Sequence, residues 1–186
     1  MSLNAGNDKA ALRRQLMASR EAFLATAQAT PAQARMGVQL ADILSQVEAE
    51  CVGLYWPLPG EWRATDWAMQ SGLDLAWALP FAQPGNREMH YRHWDGTTPT
   101  EKDGCGIPTS SGKRVQPDVI LAPCVGFNAQ GFRLGYGGGY FDRHMAAHPG
   151  TLVIGMAWHC TLAAFDADPH DHAPAIILTE QGIWET

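Results

Sequence analysis

From Arg133 to Asp142 the chain reads Arg-Leu-Gly-Tyr-Gly-Gly-Gly-Tyr-Phe-Asp, so that Gly135, Gly137, Gly138 and Gly139 surround Tyr136 within five positions. Residues 118–127 upstream are apolar and partly β-branched, the composition of a buried strand. Residues 140–148 downstream hold no helix breaker before Pro149-Gly150. A glycine-rich turn between strand and helix lets backbone approach a ligand closely, and the helix it opens offers free N–H groups and a positive dipole end to an anion. That is phosphate-binding geometry. Arg133, just before the glycines, adds a forked guanidinium suited to phosphate oxygens. Gly137 and Gly138 are expected to take backbone angles that a Cβ disfavours.

Two familiar phosphate loops are excluded. A G-x-G-x-x-G fingerprint counted from Gly135 puts Tyr140 at its last glycine, and no acidic residue closes a following strand. Gly112-Lys113 is followed by Arg114 where a Walker A loop needs Ser or Thr. Taken singly, the remaining candidates have bland readings: glycine clusters make ordinary turns, and Asp142 in a helix's first turn is favoured there by the dipole. Lys9 and Arg13 lie at i and i+4, which by itself gives a solvated basic face. His144/His148 and His90/His93 lack the Glu of an H-E-x-x-H site, and no Gly-x-Ser-x-Gly elbow is present.

The elements that must position these residues alternate along the chain. Residues 9–27 and 30–48 read as helices, the second with Thr30 as N-cap, Pro31 at the first helical position and Met36, Leu40, Ile43, Leu44 and Val47 on one stripe. Strands are expected at 51–56, 73–81, 88–94, 151–158 and 176–179, with a short helix capped by Thr65 and ending at Gly72. Residues 95–116, rich in Gly, Thr, Ser and Pro, read as a long surface excursion. This alternation predicts one α/β domain over residues 1–186, three-layer α/β/α with a mostly parallel sheet. Ligands of such a sheet bind beyond the carboxyl ends of its strands, where residues 56–61, 133–142 and the turn after Trp158 are expected to converge.

Composition narrows the partners. With 46% hydrophobic and 17% charged residues the chain is globular, and 19 acidic against 13 basic residues give no basic stripe for nucleic acid. An anionic ligand must therefore be met locally. Four scattered cysteines without a C-x-x-C pair suggest neither zinc nor a disulfide framework. No run of about 18 apolar residues and no secretory h-region occurs, so we expect no membrane partner and a cytoplasmic location. The seven tryptophans suit a core and also a protein that stacks on a flat heterocycle.

Beyond its glycines, the pattern resembles the 5-formyltetrahydrofolate cyclo-ligase family, the methenyltetrahydrofolate synthetases. Pro123, Phe127-Asn128 and Gly131-Phe-Arg-Leu-Gly-Tyr-Gly-Gly-Gly-Tyr-Phe-Asp142 match its motif in order. Weaker matches are Lys9-Ala-Ala-Leu-Arg13, Tyr55-Trp-Pro-Leu-Pro-Gly-Glu61 and His170-Asp171 before Ile176-Ile-Leu-Thr-Glu180. The resemblance implies phosphorylation of the formyl oxygen of 5-formyltetrahydrofolate by ATP, closure by N10 and loss of phosphate, chemistry that asks for positioning and electrostatic stabilisation without a protein nucleophile. It implies Arg133 and Tyr140 as catalytic residues, and Lys9, Arg13, Arg133 and the stretch Gly135, Tyr136, Gly137, Gly138, Gly139, Tyr140 on ATP. Trp56, Glu61, Tyr136 and Tyr140 would hold the folate, and Asp142 and Asp171 the Mg²⁺. Partners are then a small-molecule substrate alone, with the chain a monomer or weak homodimer.

Three positions depart from the motif: Phe141 stands for its second Tyr, residues 106–111 lack Glu/Gln-Pro after Gly-Ile, and Ala175 replaces an Asp. The residues themselves also allow a non-catalytic folate- or nucleotide-binding paralogue, or an enzyme of another class using the loop on a sugar phosphate or CoA ester.

Overall fold

The computed structural model describes residues 5–184, with side chains from Lys9 onward, so the outermost residues of the expected 1–186 domain lie outside the described residues. In chain order the elements are α1 (Ala5–Leu24), α2 (Ala29–Gln46), β1 (Cys51–Gly53), α3 (Ala64–Gln70), β2 (Ala76–Gln83), β3 (Glu88–Trp94), β4 (Glu101–Lys102), β5 (Pro108–Thr109) and β6 (Arg114–Val115). They continue with β7 (Val119–Pro123), β8 (Gly126–Phe127), β9 (Arg133–Leu134), α4 (Tyr140–Ala147), β10 (Leu152–Met156), a 3-10 turn (His159–Thr161), β11 (Ile176–Thr179) and β12 (Gly182–Trp184).

Eight strands form one sheet in the order β12-β11-β10-β7-β1-β2-β3-β6. Its central five, β11 to β2, pair in parallel, and β12, β3 and β6 add antiparallel edges. Side chains alternate across the sheet as the pleat requires. Val52, Leu79, Leu121 and Ile154 meet Met36, Leu40 and Leu44 of α2 and Ala68 of α3, whereas Ala78, Ile120 and Val153 meet Met145 of α4. Helices therefore cover both faces, as the alternation predicts. From β1 the chain winds outward through β2, and from β7 it winds the other way through β10, so the order reverses between β1 and β7. No helix among the described residues is long and apolar enough to cross a membrane.

Several boundaries differ from the sequence expectation. Thr30 lies inside α2, whose N-cap is Gln28 with no side-chain cap bond, and α3 begins at Ala64 after Arg63, leaving Thr65 buried within it. The apolar run 118–127 is two elements: β7 ends at Pro123, and β8 pairs with β9 in a separate hairpin. Asn128 makes that hairpin's turn, its side-chain carbonyl accepting the N–H groups of Gln130 at 3.1 Å and Phe132 at 2.9 Å, with Gly131 at φ 76°. The 95–116 excursion is partly ordered, because β4 pairs with β5 and β6 joins β3. Helix α1 lies on the β8–β9 hairpin through Leu16, which packs on Val125 and Leu134.

On the α4 face, Gly53 and Ala78 leave room for the fully buried Tyr91. A Cβ at Gly53 would stand 2.7 Å from the Tyr91 ring. Gly53→Ala should therefore lower stability by about 1–3 kcal/mol through overpacking. Gly150→Ala, where a Cβ meets nothing within 4 Å, should be neutral or slightly stabilising. Urea denaturation of both variants checks this, and equal midpoints would show that the ring is not pressed onto β1.

Candidate active site

Tyr55 and Trp56, just beyond β1, and Pro123, the last residue of β7, open onto a cavity of about 590 Å³. It lies where the strand order reverses, the position at which open parallel sheets bind ligands. Every residue for which a site role is expected lines this cavity: Trp56 and Glu61, Lys9 and Arg13, Arg133, Gly135 through Gly139 with Tyr136, Tyr140, Asp142 and Asp171. The segment after β10 arrives otherwise than expected. Its 3-10 turn stays out of the wall, and the chain reaches the cavity later, at Asp168, His170 and Asp171.

The glycine loop connects β9 to α4. Gly137 at φ 94° and Gly139 at φ 66° occupy the left-handed region, and Gly139 is the N-cap of α4 with no side-chain cap bond. The first turn of α4 thus presents backbone N–H groups that no capping side chain takes. Gly138 does not have a positive φ, which corrects the expectation for that residue. A Cβ there would instead crowd the Tyr140 ring at 2.9 Å. The loop is fixed by arginines from other elements: Arg13 Nε donates to Gly135 O at 2.7 Å, and Arg143 donates to Gly138 O and, through Nε, to Arg87 O at 3.0 Å.

Arg133 is buried, and its Nη2 pairs with Asp142 Oδ2 at 2.8 Å. Its Nε is buried with no partner among the described residues, and its Cζ lies 5.3 Å from the Phe141 ring. An aromatic face, which Phe offers as well as Tyr, is what Arg133 meets there. Lys9 Nζ pairs with Asp168 at 2.7 Å and with Asp171 at 3.3 Å. Its burial works against its charge, but the hydrogen bond to Asp168 and the charges of both carboxylates outweigh this and raise its pKa. Ala175 is exposed and lies off the cavity, whereas Ile107 of the divergent 106–111 segment lines it.

Among the described residues no three of His, Cys, Asp and Glu converge on a point that could hold a metal ion. Asp142 and Asp171 nevertheless face one cavity from different segments. Two carboxylates suit Mg²⁺, which keeps several waters and is held by one or two carboxylates together with substrate phosphates. Five cationic side chains, Lys9, Arg13, Arg87, Arg133 and Arg143, line the cavity against four carboxylates, whereas the whole chain carries a net charge of −6. The anion-attracting character is local.

Glu61 is 7% exposed and accepts from Leu58 N–H through Oε2 and from the Tyr136 hydroxyl through Oε1, each at 2.7 Å. Burial raises its pKa, and the Leu58 and Tyr136 hydrogen bonds and the Arg20 charge act in the opposite direction. Trp56 stands edge-on to Trp94 with ring centres 6.4 Å apart; most other tryptophans are core. Sequence reasoning missed Arg143, Arg87, Asp168 and Arg20. Arg143 directly follows Asp142, and Arg20 lies seven residues beyond Arg13 on the face of Lys9 and Arg13, so helical spacing carried the signal for Arg20. Arg87 and Asp168 meet the cavity only through tertiary folding.

Comparison with known proteins bears on this geometry. A solved Aquifex aeolicus 5,10-methenyltetrahydrofolate synthetase shares the fold, with a TM-score of 0.77 at 24% identity over 95% of this chain and 92% of that one. A curated 5-formyltetrahydrofolate cyclo-ligase from Mycoplasma pneumoniae is 39% identical over 67 residues, a match spanning 36% of this chain and 41% of the relative. The Haemophilus influenzae cyclo-ligase is 25% identical over 132 residues, spanning 64% of this chain and 69% of that protein. Residues 5–180 match the family model for 5-formyltetrahydrofolate cyclo-ligases, a stretch that takes in the glycine loop and every residue lining the cavity. The chain belongs to the 5-formyltetrahydrofolate cyclo-ligase family.

Proposed function

We propose that the protein converts 5-formyltetrahydrofolate to 5,10-methenyltetrahydrofolate, with ATP going to ADP and phosphate. The observation that carries this reading is a single cavity in which a left-handed glycine loop at an uncapped helix N-terminus faces a buried, hydrogen-bonded carboxylate and a tryptophan. One wall suits phosphate; the other suits a flat heterocycle with N–H donors.

The formyl oxygen takes the γ-phosphoryl group of ATP and ADP leaves. N10 then attacks the activated carbon and loses its proton to solvent, the ring closes, and the C–O bond breaks with the electron pair departing on phosphate. Arg133 and the backbone N–H groups of the loop meet the charge that develops on the phosphoryl oxygens, and Lys9 and Arg13 hold the nucleotide phosphates. Asp142 and Asp171 would hold Mg²⁺, which when bound neutralises charge on the transferring group. Trp56, Glu61, Tyr136 and Tyr140 orient the pterin, and Asp142, paired with Arg133, sets the direction of that guanidinium. No protein nucleophile is needed, because the role of the site is to place the formyl oxygen in line with the γ-phosphoryl group and N10 next to the formyl carbon.

Mixing the protein with 5-formyltetrahydrofolate, ATP and Mg²⁺ should produce the absorbance band of the methenyl product, with one ADP per product. Binding of both ligands without product would establish a non-catalytic paralogue instead. Gly139→Val would force a side chain into the left-handed region, a strain of about 1–3 kcal/mol at the loop. Calorimetry on this variant should show nucleotide affinity reduced about tenfold or more with folate affinity nearly unchanged. Unaltered ATP affinity in the folded variant would remove the glycine loop from the nucleotide site.

A further inference from the structure

One buried cation has no role in the chemistry above. Arg20 is 2% exposed and does not line the cavity. It shares a stripe of α1 with Lys9, Arg13 and Leu16, and Leu16 seats that stripe on the β8–β9 hairpin. Arg20 Nη2 donates to Pro59 O at 3.0 Å and to the Tyr136 hydroxyl at 3.3 Å, while Nη1 is buried without a partner among the described residues. The Tyr136 hydroxyl in turn donates to Glu61 at 2.7 Å. Gly60, at φ 83°, closes over the guanidinium so tightly that a Cβ would stand 2.8 Å from Nε. Trp158 Nε1 holds the same turn by donating to Gly60 O at 2.9 Å.

Three segments distant in sequence therefore meet at one guanidinium: α1, the 57–61 turn bearing Glu61, and the glycine loop bearing Tyr136. We propose that Arg20 is a positioning residue for the ligand site, holding Tyr136 and, through its hydroxyl, Glu61 in one arrangement at the cavity wall. This rests on the reading of Glu61 as a pterin contact. A guanidinium stays charged at every working pH, so it acts as a fixed charge where a lysine could lose its proton. The groups facing Glu61 from the surrounding elements are Arg20 from α1, Tyr55 after β1, Tyr136 from the glycine loop and Cys124 after β7. Burial pushes both tyrosines up and the Cys124 thiol up to about 12, so these three stay neutral in the working range. Arg20 is then the one charged group of these four, and it adds to the Leu58 and Tyr136 hydrogen bonds that oppose protonation of Glu61.

The test compares wild type with Arg20→Gln, which keeps hydrogen-bond donors but loses the charge, and Arg20→Lys, which keeps the charge but loses the fork. The Glu61 carboxyl carbon is followed by NMR through a pH titration, its resonance assigned with Glu61→Gln, and 5-formyltetrahydrofolate affinity is measured at the same pH values. A carboxylate deprived of a nearby opposite charge titrates higher, so the Glu61 midpoint should rise in Arg20→Gln and return towards wild type in Arg20→Lys. Folate affinity should fall on the acid side at the same midpoints, because Glu61 works ionised. An unchanged midpoint in folded Arg20→Gln overturns the role of Arg20. A loss of folate affinity equal at all pH values in both variants would reduce Arg20 to a structural residue. A shifted midpoint in a protein that binds no folate would confirm the Arg20–Glu61 coupling and refute the proposed function.

Discussion

A loop with four glycines in five residues has almost no side chains with which to hold its own shape. Glycine also has the most conformational freedom to lose on ordering. The loop between β9 and α4 therefore depends on neighbours, and those neighbours are arginines: Arg13 takes the carbonyl of Gly135, Arg143 that of Gly138, and Arg20 the hydroxyl of Tyr136. Arg133 begins the loop and is tied to Asp142 across it. The constraint is thus electrostatic as much as steric. Arg13 and Arg143, which hold the loop carbonyls, also line the cavity and help make it locally attractive to anions in an otherwise acidic protein.

The sheet explains why these arginines arrive together. Because the chain winds outward in opposite directions from β1 and β7, the ends of those strands separate and leave a crevice. The β8–β9 hairpin rises from β7 into that crevice and delivers the glycine loop, and α1 packs across the hairpin through Leu16. A helix so placed brings Lys9 into the cavity, Arg13 to Gly135 and Arg20 to Tyr136. The turn after β1 brings Trp56 and Glu61 to the other wall.

Much of this was legible in the chain. Glu88–Trp94 and Ile176–Thr179 are strands at the expected residues, because alternation or a short apolar run announces them locally. The residues to which the motif assigns a site role all line one cavity. What stayed hidden depended on distant partners. The expected strand over residues 118–127 ran β7 and β8 together, since only the bonds of Asn128 to Gln130 and Phe132 reveal the hairpin turn that follows. Thr30-Pro31 looks like a helix start, yet α2 begins at Ala29, and its hydrogen-bonded turn from Gln28 O to Ala32 N does not use the Thr30 side chain. The pairing of Arg133 with Asp142, and of Lys9 with Asp171, joins residues that the resemblance assigned separately to phosphate and metal, and Asp168, the second partner of Lys9, had no role assigned.

The proposed function requires one cavity to hold a nucleotide on its glycine-loop wall and a reduced folate on its Glu61 wall. The most direct measurement is a crystal structure of the complex with Mg²⁺, ADP and 5-formyltetrahydrofolate. The terminal phosphate should lie within hydrogen-bonding distance of the backbone N–H groups at the start of α4 and of Arg133, with the pterin against Trp56 and bonded to Glu61. Phosphates bound away from residues 135–139, or a pterin making no contact with Glu61, would contradict it.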